Sequence, residues 1–248
     1  MSSSADLIET AKQLAAYQAV DHYVNPQVRV LGVGSGSTIV YAIHRLAEQR
    51  AQLHPDLVCI PTSFQSRQLL IEAGFRVGDL DEFPQVDVTI DGADEVDAQL
   101  NVIKGGGAAQ LREKVVAAAS KVFVIVADHR KDSTHLGQQW TKGVPIEVIP
   151  FAYNTVMAQI ATLRPTSTTA VFEQNAPTVT LRMALRKAGP VITDNGNFVL
   201  DAHFGLIYAP GQLFDQLIRI PGVVEVGLFC GMAAKAYFGK ADGTVVSR

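Results

Sequence analysis

The sequence predicts an α/β fold: a doubly wound, mostly parallel sheet with a smaller α+β domain inserted into it. Two observations favour this class. Strand-like and helix-like segments alternate through the first half of the chain, and several strand-like segments are apolar at nearly every position. Such alternation is typical of parallel strands joined by helices, and continuous apolar strands are usually covered on both faces.

The elements of the large domain follow one another from residue 5 onward. Helical spacing over residues 5–24 ends at Asn25-Pro26, where a helix would stop. The elements predicted next are the strand VRVLGV, a helix over 39–48, the strand LVCIPTS, a helix over 64–73, the strand VDVTI, a helix over 108–120 and the strand VFVIVA.

The pattern changes after Trp140. The predicted order becomes a strand at 146–149, a helix at 153–163, a strand at 178–183, a hairpin at 191–201, a helix at 211–220 and a strand at 223–229. Asn195-Gly196 predicts a two-residue hairpin turn with positive φ at both residues. We therefore expect residues 142–229 to form the small domain and residues 1–141 with 230–248 to form the large one. A C-terminal hairpin at 236–246 is expected to return to the sheet of the large domain.

Composition narrows the classes of function. A formal net charge of -3 argues against nucleic acid as the main partner, because binding to a phosphate backbone depends on clustered Lys and Arg. Cys59 and Cys230 have no spacing typical of a metal site and are expected to be buried thiols in a reducing compartment. MSSSADLIET lacks the features of a signal peptide, and no apolar run approaches the roughly 18 residues of a membrane span. A cytoplasmic protein without a membrane segment is the expectation.

The densest polar stretch is DGADEVDAQLNVIKGGGAAQLREK, from Asp91 to Lys114, directly after the strand VDVTI. Ligands of open α/β sheets bind at the carboxyl ends of the strands. The stretch therefore predicts a proton-transfer site for a small anionic substrate. Asp91 and Asp94 are candidate general acid/base groups, although their spacing alone fits turn residues that hydrogen-bond their own backbone.

A first glycine-rich loop, GVGSGST at residues 32–38, joins a strand to a helix. Its backbone amides and the hydroxyls of Ser35, Ser37 and Thr38 favour a phosphate, whereas a loop that only packs a helix against a sheet remains an equal alternative. The loop is not a Walker A motif, because no Gly-Lys-Ser/Thr follows. The next strand ends in Pro61-Thr62-Ser63, without the acid of a dinucleotide site, so no nicotinamide cofactor is expected.

A second glycine-rich loop, Lys104-Gly105-Gly106-Gly107, is predicted to open the helix AAQLREKVVAAAS, so that its amides converge on a ligand. On this helix Glu113 lies between Ala109, Val116 and Ala117. A carboxylate with small apolar neighbours is poorly hydrated and is therefore a stronger base. The alternative is a surface glutamate that pairs with its neighbours Arg112 or Lys114.

Two further groups of residues are candidates for contact with a phosphate or a metal ion. Lys131, in ADHRK after the strand VFVIVA, either binds phosphate or is solvated. Glu95 and Asp97 are close enough in sequence to be metal ligands, but no histidine accompanies them and the loop lacks the regularity of a hard-cation site. We therefore expect no required metal.

Taken in order, GVGSGST, TSFQSRQL, VTIDGADEVD, KGGGAAQLREK, VADHRK, PIEVIP and VITDNGNFVLD resemble the A-type ribose-5-phosphate isomerases, from about Lys12 to GVVEVGLF. The resemblance implies a Rossmann-like domain beside a smaller ferredoxin-like one. It implies interconversion of ribose 5-phosphate and ribulose 5-phosphate in the pentose phosphate pathway, without metal or organic cofactor. It also implies a homodimer or homotetramer.

The resemblance also assigns residues. It makes Glu113 the proton acceptor, with Asp91, Asp94 and Lys104 as the other catalytic residues. The implied substrate contacts are Ser35, Gly36, Ser37, Thr38, Asp91, Gly92, Ala93, Asp94, Lys104, Gly105, Gly106, Gly107 and Lys131, with Lys12 as a candidate phosphate contact.

Three departures from the family pattern are visible: Ser35 replaces a common threonine, Gln110 replaces an apolar residue, and CGMAAKAY lacks the usual arginine. The rival interpretation is a sugar-phosphate-sensing regulatory domain. It is disfavoured because no basic helix-turn-helix precedes Gly32 and a sensor needs no base at position 113.

Overall fold

The computed structural model describes residues 4–165 and 171–248, and these form two compact units. The first unit comprises the chain up to Ala93, Arg112–Asp132 and Met232–Arg248; the second comprises Asp94–Leu111 and Ser133–Gly231. Residues 94–111 thus group with the second unit, whereas the predicted boundaries put them in the large domain.

The helices and strands follow the predicted order closely. Along the chain they are α1 (Ser4–Tyr23), β1 (Val30–Val33), α2 (Ser37–Glu48), β2 (Val58–Pro61), α3 (Phe64–Glu72), β3 (Arg76–Val77), β4 (Val86–Gly92), β5 (Glu95–Val96), β6 (Val102–Ile103), α4 (Gln110–Ala118), β7 (Ser120–Asp128), β8 (Val144–Val148), α5 (Tyr153–Ala161), β9 (Thr178–Leu181), β10 (Phe198–His203), α6 (Pro210–Ile218), β11 (Val223–Val226), β12 (Leu228–Phe229), β13 (Lys235–Gly239) and β14 (Val245–Ser247).

The first unit contains a seven-stranded sheet in the order β14-β13-β7-β4-β1-β2-β3. Every pairing in it is parallel except that of β13 with β14, so the doubly wound, mostly parallel sheet is confirmed, as is the returning C-terminal hairpin. The chain runs from β1 to β2 and β3 on one side and then continues at β4 on the other side of β1. The order of strands therefore reverses between β1 and β4, and the carboxyl ends of these two strands are where such a sheet binds ligands.

Helix α1 covers part of this sheet with a face of small residues. Ala15, Ala16 and Ala19 are fully buried in the main core, together with Leu31, Ile39 and Ile43. At Ala11 the approach is closest, because a Cβ on Gly239 of β13 would lie 1.8 Å from the Ala11 carbonyl oxygen. Glycine is required at position 239 because the backbones of α1 and β13 are in contact at this point.

The second unit contains a four-stranded sheet in the order β11-β8-β10-β9, with every pairing antiparallel. The elements β8, α5, β9, β10, α6 and β11 follow one another as strand-helix-strand-strand-helix-strand. This is the ferredoxin-like arrangement, and the predicted α+β domain is confirmed. Val156 and Ile160 of α5 and Leu213 and Leu217 of α6 are buried in its core.

The Asn195-Gly196 turn differs from the prediction. Among the described residues only Leu100 and Ala108 have positive φ without being glycine, so Asn195 does not, while Gly196 has φ 80°. Thr193 N donates to Asn197 O at 2.9 Å and Gly196 N donates to Thr193 O at 2.9 Å, which makes a three-residue loop with a left-handed glycine at its end. The strand after it, β10, pairs with β8 and β9 rather than with residues 191–194.

The predicted strand at 223–229 is interrupted. Gly227 separates β11, which belongs to the four-stranded sheet, from β12, which pairs with β6 in a three-stranded sheet of order β12-β6-β5. A Cβ on Gly227 would lie 2.2 Å from the Lys104 carbonyl oxygen, so the backbone crossing excludes any side chain.

Across residues 4–165 and 171–248, no helix has the length and apolar character needed to span a membrane.

The contact between α1 and β13 yields a stability prediction. Gly239→Ala should lower the free energy of unfolding by about 1–3 kcal/mol, because the new methyl group meets backbone atoms that cannot rotate away. Gly211→Ala in α6 is the control, since its Cβ would have no neighbour within 4 Å. Urea unfolding measures both; equal stability of the two variants would contradict the packing.

Candidate active site

The loop from β1 to α2 lies at the switch point and is tied to β4. Gly34 N donates to Ile90 O at 2.9 Å, and Ser35 N donates to Asp91 Oδ1 at 3.0 Å. Gly36, at φ 101°, precedes α2 and provides no side-chain cap. The first-turn amides of α2 therefore receive no N-cap side chain, and the positive end of the helix favours an anion such as a phosphate.

A hydroxyl cluster supports this loop from the neighbouring strand. Ser35 Oγ lies 2.8 Å from Thr62 Oγ1 and donates to Ser63 Oγ at 2.7 Å, and Gly36 N donates to Gln65 Oε1 at 2.9 Å. The three supporting residues follow β2. Sequence reasoning missed their role, because it tested Pro61-Thr62-Ser63 only for the acid of a dinucleotide site; the polar run TSFQ was the available signal.

Lys12 reaches the same loop from α1. Its Nζ donates to Ser37 Oγ at 3.1 Å and to Glu9 Oε1 at 2.7 Å. Hydrogen bonds from Lys12 and then Tyr41 lower the pKa of Glu9, so that carboxylate stays ionised beside the ammonium. The structure thus places the Lys12 cation at the N-terminus of α2, where the resemblance implies a phosphate contact.

Asp91 is fully buried at the end of β4. Its Oδ1 accepts from Ser35 N at 3.0 Å and from Gly92 N at 2.7 Å, and Asp91 itself lies in β4 rather than in a turn. Gly34 has no room for a side chain, because its Cβ would lie 1.8 Å from Asp91 Oδ1. The orientation of this carboxylate is therefore fixed by backbone on two sides.

Glu113 is a buried residue of α4. It is 4% exposed, whereas Val115, two residues on, is 47% exposed. The helix therefore turns Val116, Ala117 and Glu113 inward, as the helical wheel predicts, and the alternative of a surface glutamate is wrong. The Glu113 carboxylate is therefore largely removed from water.

In the second unit, Asp94 is joined to the glycine loop. Asp94 N donates to Ile103 O at 2.9 Å, and Gly106 N donates to Asp94 Oδ2 at 2.6 Å. A Cβ on Gly106 would lie 2.5 Å from Asp94 Oδ1. Lys104 N donates to Gly227 O at 2.9 Å. The structure therefore brings together two of the predicted site segments, Asp94 and residues 104–107.

The glycine loop does not open the helix directly, and that expectation is wrong. Helix α4 begins at Gln110, and residues 105–108 form a turn of their own in which Ala108 N donates to Gly105 O at 2.9 Å. Gly105 has φ 101° and Ala108 has φ 60°. Glycine is favoured at 105 by its positive φ and required at 106 by the approach of Asp94, whereas Ala108 adopts a positive φ despite its side chain. Lys104 is buried, and its Nζ lies 5.7 Å from the centre of the Phe229 ring.

Glu95 and Asp97 hold loops together. Glu95 is fully buried and accepts from Ser133 Oγ and Gly137 N, each at 2.6 Å. Asp97 accepts from Asn101 N at 2.8 Å. Within the described residues, no group of three or more His, Cys, Asp and Glu side chains has the geometry of a metal site.

At the end of β7, Asp128 organises the turn that carries Lys131. Its Oδ1 accepts from Arg130 Nε at 2.7 Å and from Arg130 N at 3.1 Å, which caps the short helix His129–Lys131. Burial opposes ionisation of Asp128, but the hydrogen bonds and charge of Arg130 hold the pKa of Asp128 below its ordinary value. Lys131 thus begins from a fixed backbone at the sheet edge where β4 ends.

The first unit, with a doubly wound sheet, a glycine-rich loop at its switch point and a buried glutamate, has the features of an α/β enzyme. Residues 58–243 match the model of the family described as Ribose 5-phosphate isomerase A (phosphoriboisomerase A). The chain belongs to that family, and the resemblance seen in the sequence is confirmed.

Similar proteins agree over nearly the whole chain. The ribose-5-phosphate isomerase of Cryptococcus neoformans var. neoformans is 51% identical over 243 residues, covering 97% of this chain and 80% of that protein. The ribose-5-phosphate isomerase of Homo sapiens is 50% identical over 246 residues, covering 99% and 75%.

Among solved structures, ribose 5-phosphate isomerase from Plasmodium falciparum has a TM-score of 0.86 at 33% identity, covering 97% of this chain and 98% of that one. A D-ribose-5-phosphate isomerase in complex with phospho-erythronic acid has a TM-score of 0.85 at 38% identity, covering 96% of both chains.

The environment of Asp128 predicts a pH-dependent contribution to stability. Because its pKa is lowered in the folded state, its contribution is complete above the unfolded pKa and is lost as the pH falls through the folded one. Asp128→Asn should therefore lower the free energy of unfolding by about 1–3 kcal/mol at pH 7, and the difference should shrink below about pH 4. Asp56→Asn, at an exposed position, is the control. Urea unfolding at a series of pH values measures the effect, and a loss that is independent of pH would contradict it.

Proposed function

We propose that the chain interconverts D-ribose 5-phosphate and D-ribulose 5-phosphate through an enediolate, with Glu113 as the general base. The observation that carries the proposal is the burial of Glu113 at 4% exposure, in a chain that belongs to the ribose 5-phosphate isomerase A family. Isomerisation between an aldose and a ketose needs a base for one carbon-bound proton, donors for an oxyanion and a route for hydroxyl protons. The candidate residues offer each of these.

In the proposed reaction, the Glu113 carboxylate removes the proton from carbon 2 of the open-chain aldose and returns it to carbon 1. Meanwhile one proton leaves the oxygen on carbon 2 and one is delivered to the oxygen on carbon 1. Asp91 and Asp94 are proposed to carry these two protons, and their anchored carboxylates are consistent with that role. The division of steps between the two carboxylates stays open.

The developing negative charge is assigned to the Lys104 ammonium and the amides of residues 105–107, except the Gly106 N–H, which donates to Asp94 Oδ2. A single preorganised donor can be worth about 3 kcal/mol of transition-state stabilisation, so several can serve where other enzymes use a metal ion. The related isomerase solved with phospho-erythronic acid supports this assignment. The carboxylate of such an acid is planar and negatively charged, as an enediolate is, and we propose that this chain binds it too.

The phosphate group is assigned to residues 35–38 with Lys12, and Lys131 is a further proposed contact. The uncapped first turn of α2 and the Lys12 ammonium on Ser37 Oγ support this choice. Since the phosphate is remote from the reacting carbons, its binding energy serves to orient the sugar.

We also propose the wider setting that the resemblance implies. The reaction belongs to the non-oxidative pentose phosphate pathway, in the cytoplasm, and the enzyme acts as a homodimer or homotetramer without metal or organic cofactor. The regulatory alternative requires binding without turnover. An assay for ribulose 5-phosphate formation in the presence of a chelator distinguishes it from the proposal.

Replacing the base tests the mechanism directly. Glu113→Gln keeps the shape of the side chain and removes its basicity, so kcat should fall by about 10²- to 10⁴-fold. Glu72→Gln, at an exposed position in α3, is the matched control and should retain wild-type turnover. A coupled assay of ribulose 5-phosphate formation gives the rates. Turnover of the Glu113 variant within about tenfold of wild type would refute the assignment.

Lys104 is tested by separating turnover from binding. If its ammonium stabilises the enediolate, Lys104→Ala should lower kcat by about 10²-fold or more while KM changes by less than about threefold. Lys142→Ala, an exposed lysine of the same unit, provides the control. The reverse pattern, a large rise in KM with kcat preserved, would make Lys104 a ligand of the phosphate.

A further inference from the structure

Arg182 contacts the glycine loop although no sequence motif included it. It follows β9, and its Nη1 donates to the carbonyl oxygen of Gly105 at 2.9 Å and to that of Gly106 at 3.2 Å. The guanidinium thus binds two successive carbonyls of the loop that contains Lys104.

Asp201 fixes the arginine from the other side. Arg182 Nε donates to Asp201 Oδ2 at 2.8 Å and Nη2 donates to Asp201 Oδ1, so the pair is bidentate. Arg182 N donates to Val199 O at 2.9 Å, and Asp201 lies opposite Thr180 in the pairing of β9 with β10. The two side chains are only 16% and 15% exposed. A partly buried, bidentate pair leaves the guanidinium little freedom to turn.

Because a peptide is planar, a contact that fixes its carbonyl also fixes the direction of its N–H group. In a trans peptide the C=O and the N–H point in opposite directions. The Gly105 carbonyl faces Arg182, and the N–H of the same peptide, on Gly106, donates to Asp94 Oδ2 at 2.6 Å. Arg182 and Asp94 therefore hold one peptide from opposite sides. The next peptide has its Gly106 carbonyl on Arg182, so the Gly107 N–H points away from the arginine.

We propose that Arg182 is a positioning residue for the isomerisation: it fixes two consecutive peptides of the glycine loop, and thereby sets the orientation of Asp94 and aims the Gly107 amide at the oxyanion. A cation on the two carbonyls also polarises these peptides, which makes their N–H groups stronger donors. The inference rests on the proposed function of residues 104–107. It adds to that function a residue that acts on the substrate only through Asp94 and the loop amides.

This role differs from that of an anion ligand. The Nε, Nη1 and Nη2 atoms of Arg182 are all engaged by Asp201 and the loop carbonyls. A ligand of the substrate would contribute to ground-state binding, so its loss would raise KM. A residue that positions donors used only in the transition state affects kcat instead.

The test compares Arg182→Met and Arg182→Lys with Arg186→Met, an exposed arginine on the same segment. Arg182→Met should lower kcat by about 10- to 100-fold, less than the loss of an oxyanion donor itself, and should leave KM within about threefold. Arg182→Lys should be intermediate, because one ammonium keeps the charge but cannot hold Asp201 and both carbonyls. Arg186→Met should match wild type.

Inhibition by phospho-erythronic acid gives a second readout that a purely structural role would not move. Its inhibition constant should rise in parallel with the fall in kcat across the Arg182 series, since both report on the aimed amides. If Arg182→Met does not fold, as judged by its unfolding transition, Asp201→Asn and Arg182→Lys provide the series. A raised KM at unchanged kcat, or kcat within about twofold of wild type in every variant, overturns the inference.

Wild type and Glu113→Gln are measured in the same assay. An inactive wild type refutes the proposed function itself. An active wild type with an inactive Glu113 variant and unaffected Arg182 variants refutes only the role of Arg182.

Discussion

The hydrogen bonds of Asp91 Oδ1 to the amides of Ser35 and Gly92 fix the centre of the doubly wound sheet. They join the loop after β1 to the end of β4, the two strands between which the chain order reverses. A buried carboxylate is stable only when donors replace the water it has lost, and here the donors are backbone amides of the candidate site. The same bonds hold the loop that leads into α2, whose first-turn amides are assigned to phosphate.

Glycine is required where backbone meets backbone or carboxylate. Gly34 approaches Asp91, Gly106 approaches Asp94, and Gly227 approaches the Lys104 carbonyl, in each case with no space for a Cβ. The carboxylates of Asp91 and Asp94 are thus held by main-chain amides. Main chain has fewer ways to relax than a long side chain, so groups held in this way are preorganised for catalysis before substrate arrives.

Three charged side chains are likewise held in place by hydrogen-bonded partners. Lys12 is fixed by Glu9 and Ser37, Asp128 by Arg130, and Arg182 by Asp201. The partners are already in contact in the structure, so no charged group has to move through solvent to reach its partner. Ion pairs on an open surface contribute little, whereas partly buried and hydrogen-bonded pairs such as Arg182 with Asp201 orient the groups that they touch.

Much of the fold could be predicted, and candidate site segments could be named, because both depend on short-range patterns. Alternating apolar strands and helices gave the order of elements in both units, and DGAD, KGGG and REK marked Asp91, Asp94, Lys104 and Glu113. Local spacing placed Glu113 beside Ala109, Val116 and Ala117 but left a surface glutamate open, and only the burial in the structure decides between the two.

Features set by distant residues could not be predicted. Three such features join segments far apart in sequence. They are the break at Gly227, the contacts of Ser35 with Thr62 and Ser63, and the hydrogen bonds of Arg182 to the carbonyls of residues 105 and 106. The turn at Asn195 is bound by a residue of β8, since Glu147 Oε1 accepts from Thr193 Oγ1, Asn195 Nδ2 and Asn197 Nδ2. The sequence by itself determined the order of the main helices and strands and which residues are candidates for the chemistry. Tertiary structure alone decided which backbone groups meet, because such contacts depend on the packing of whole elements rather than on neighbours along the chain.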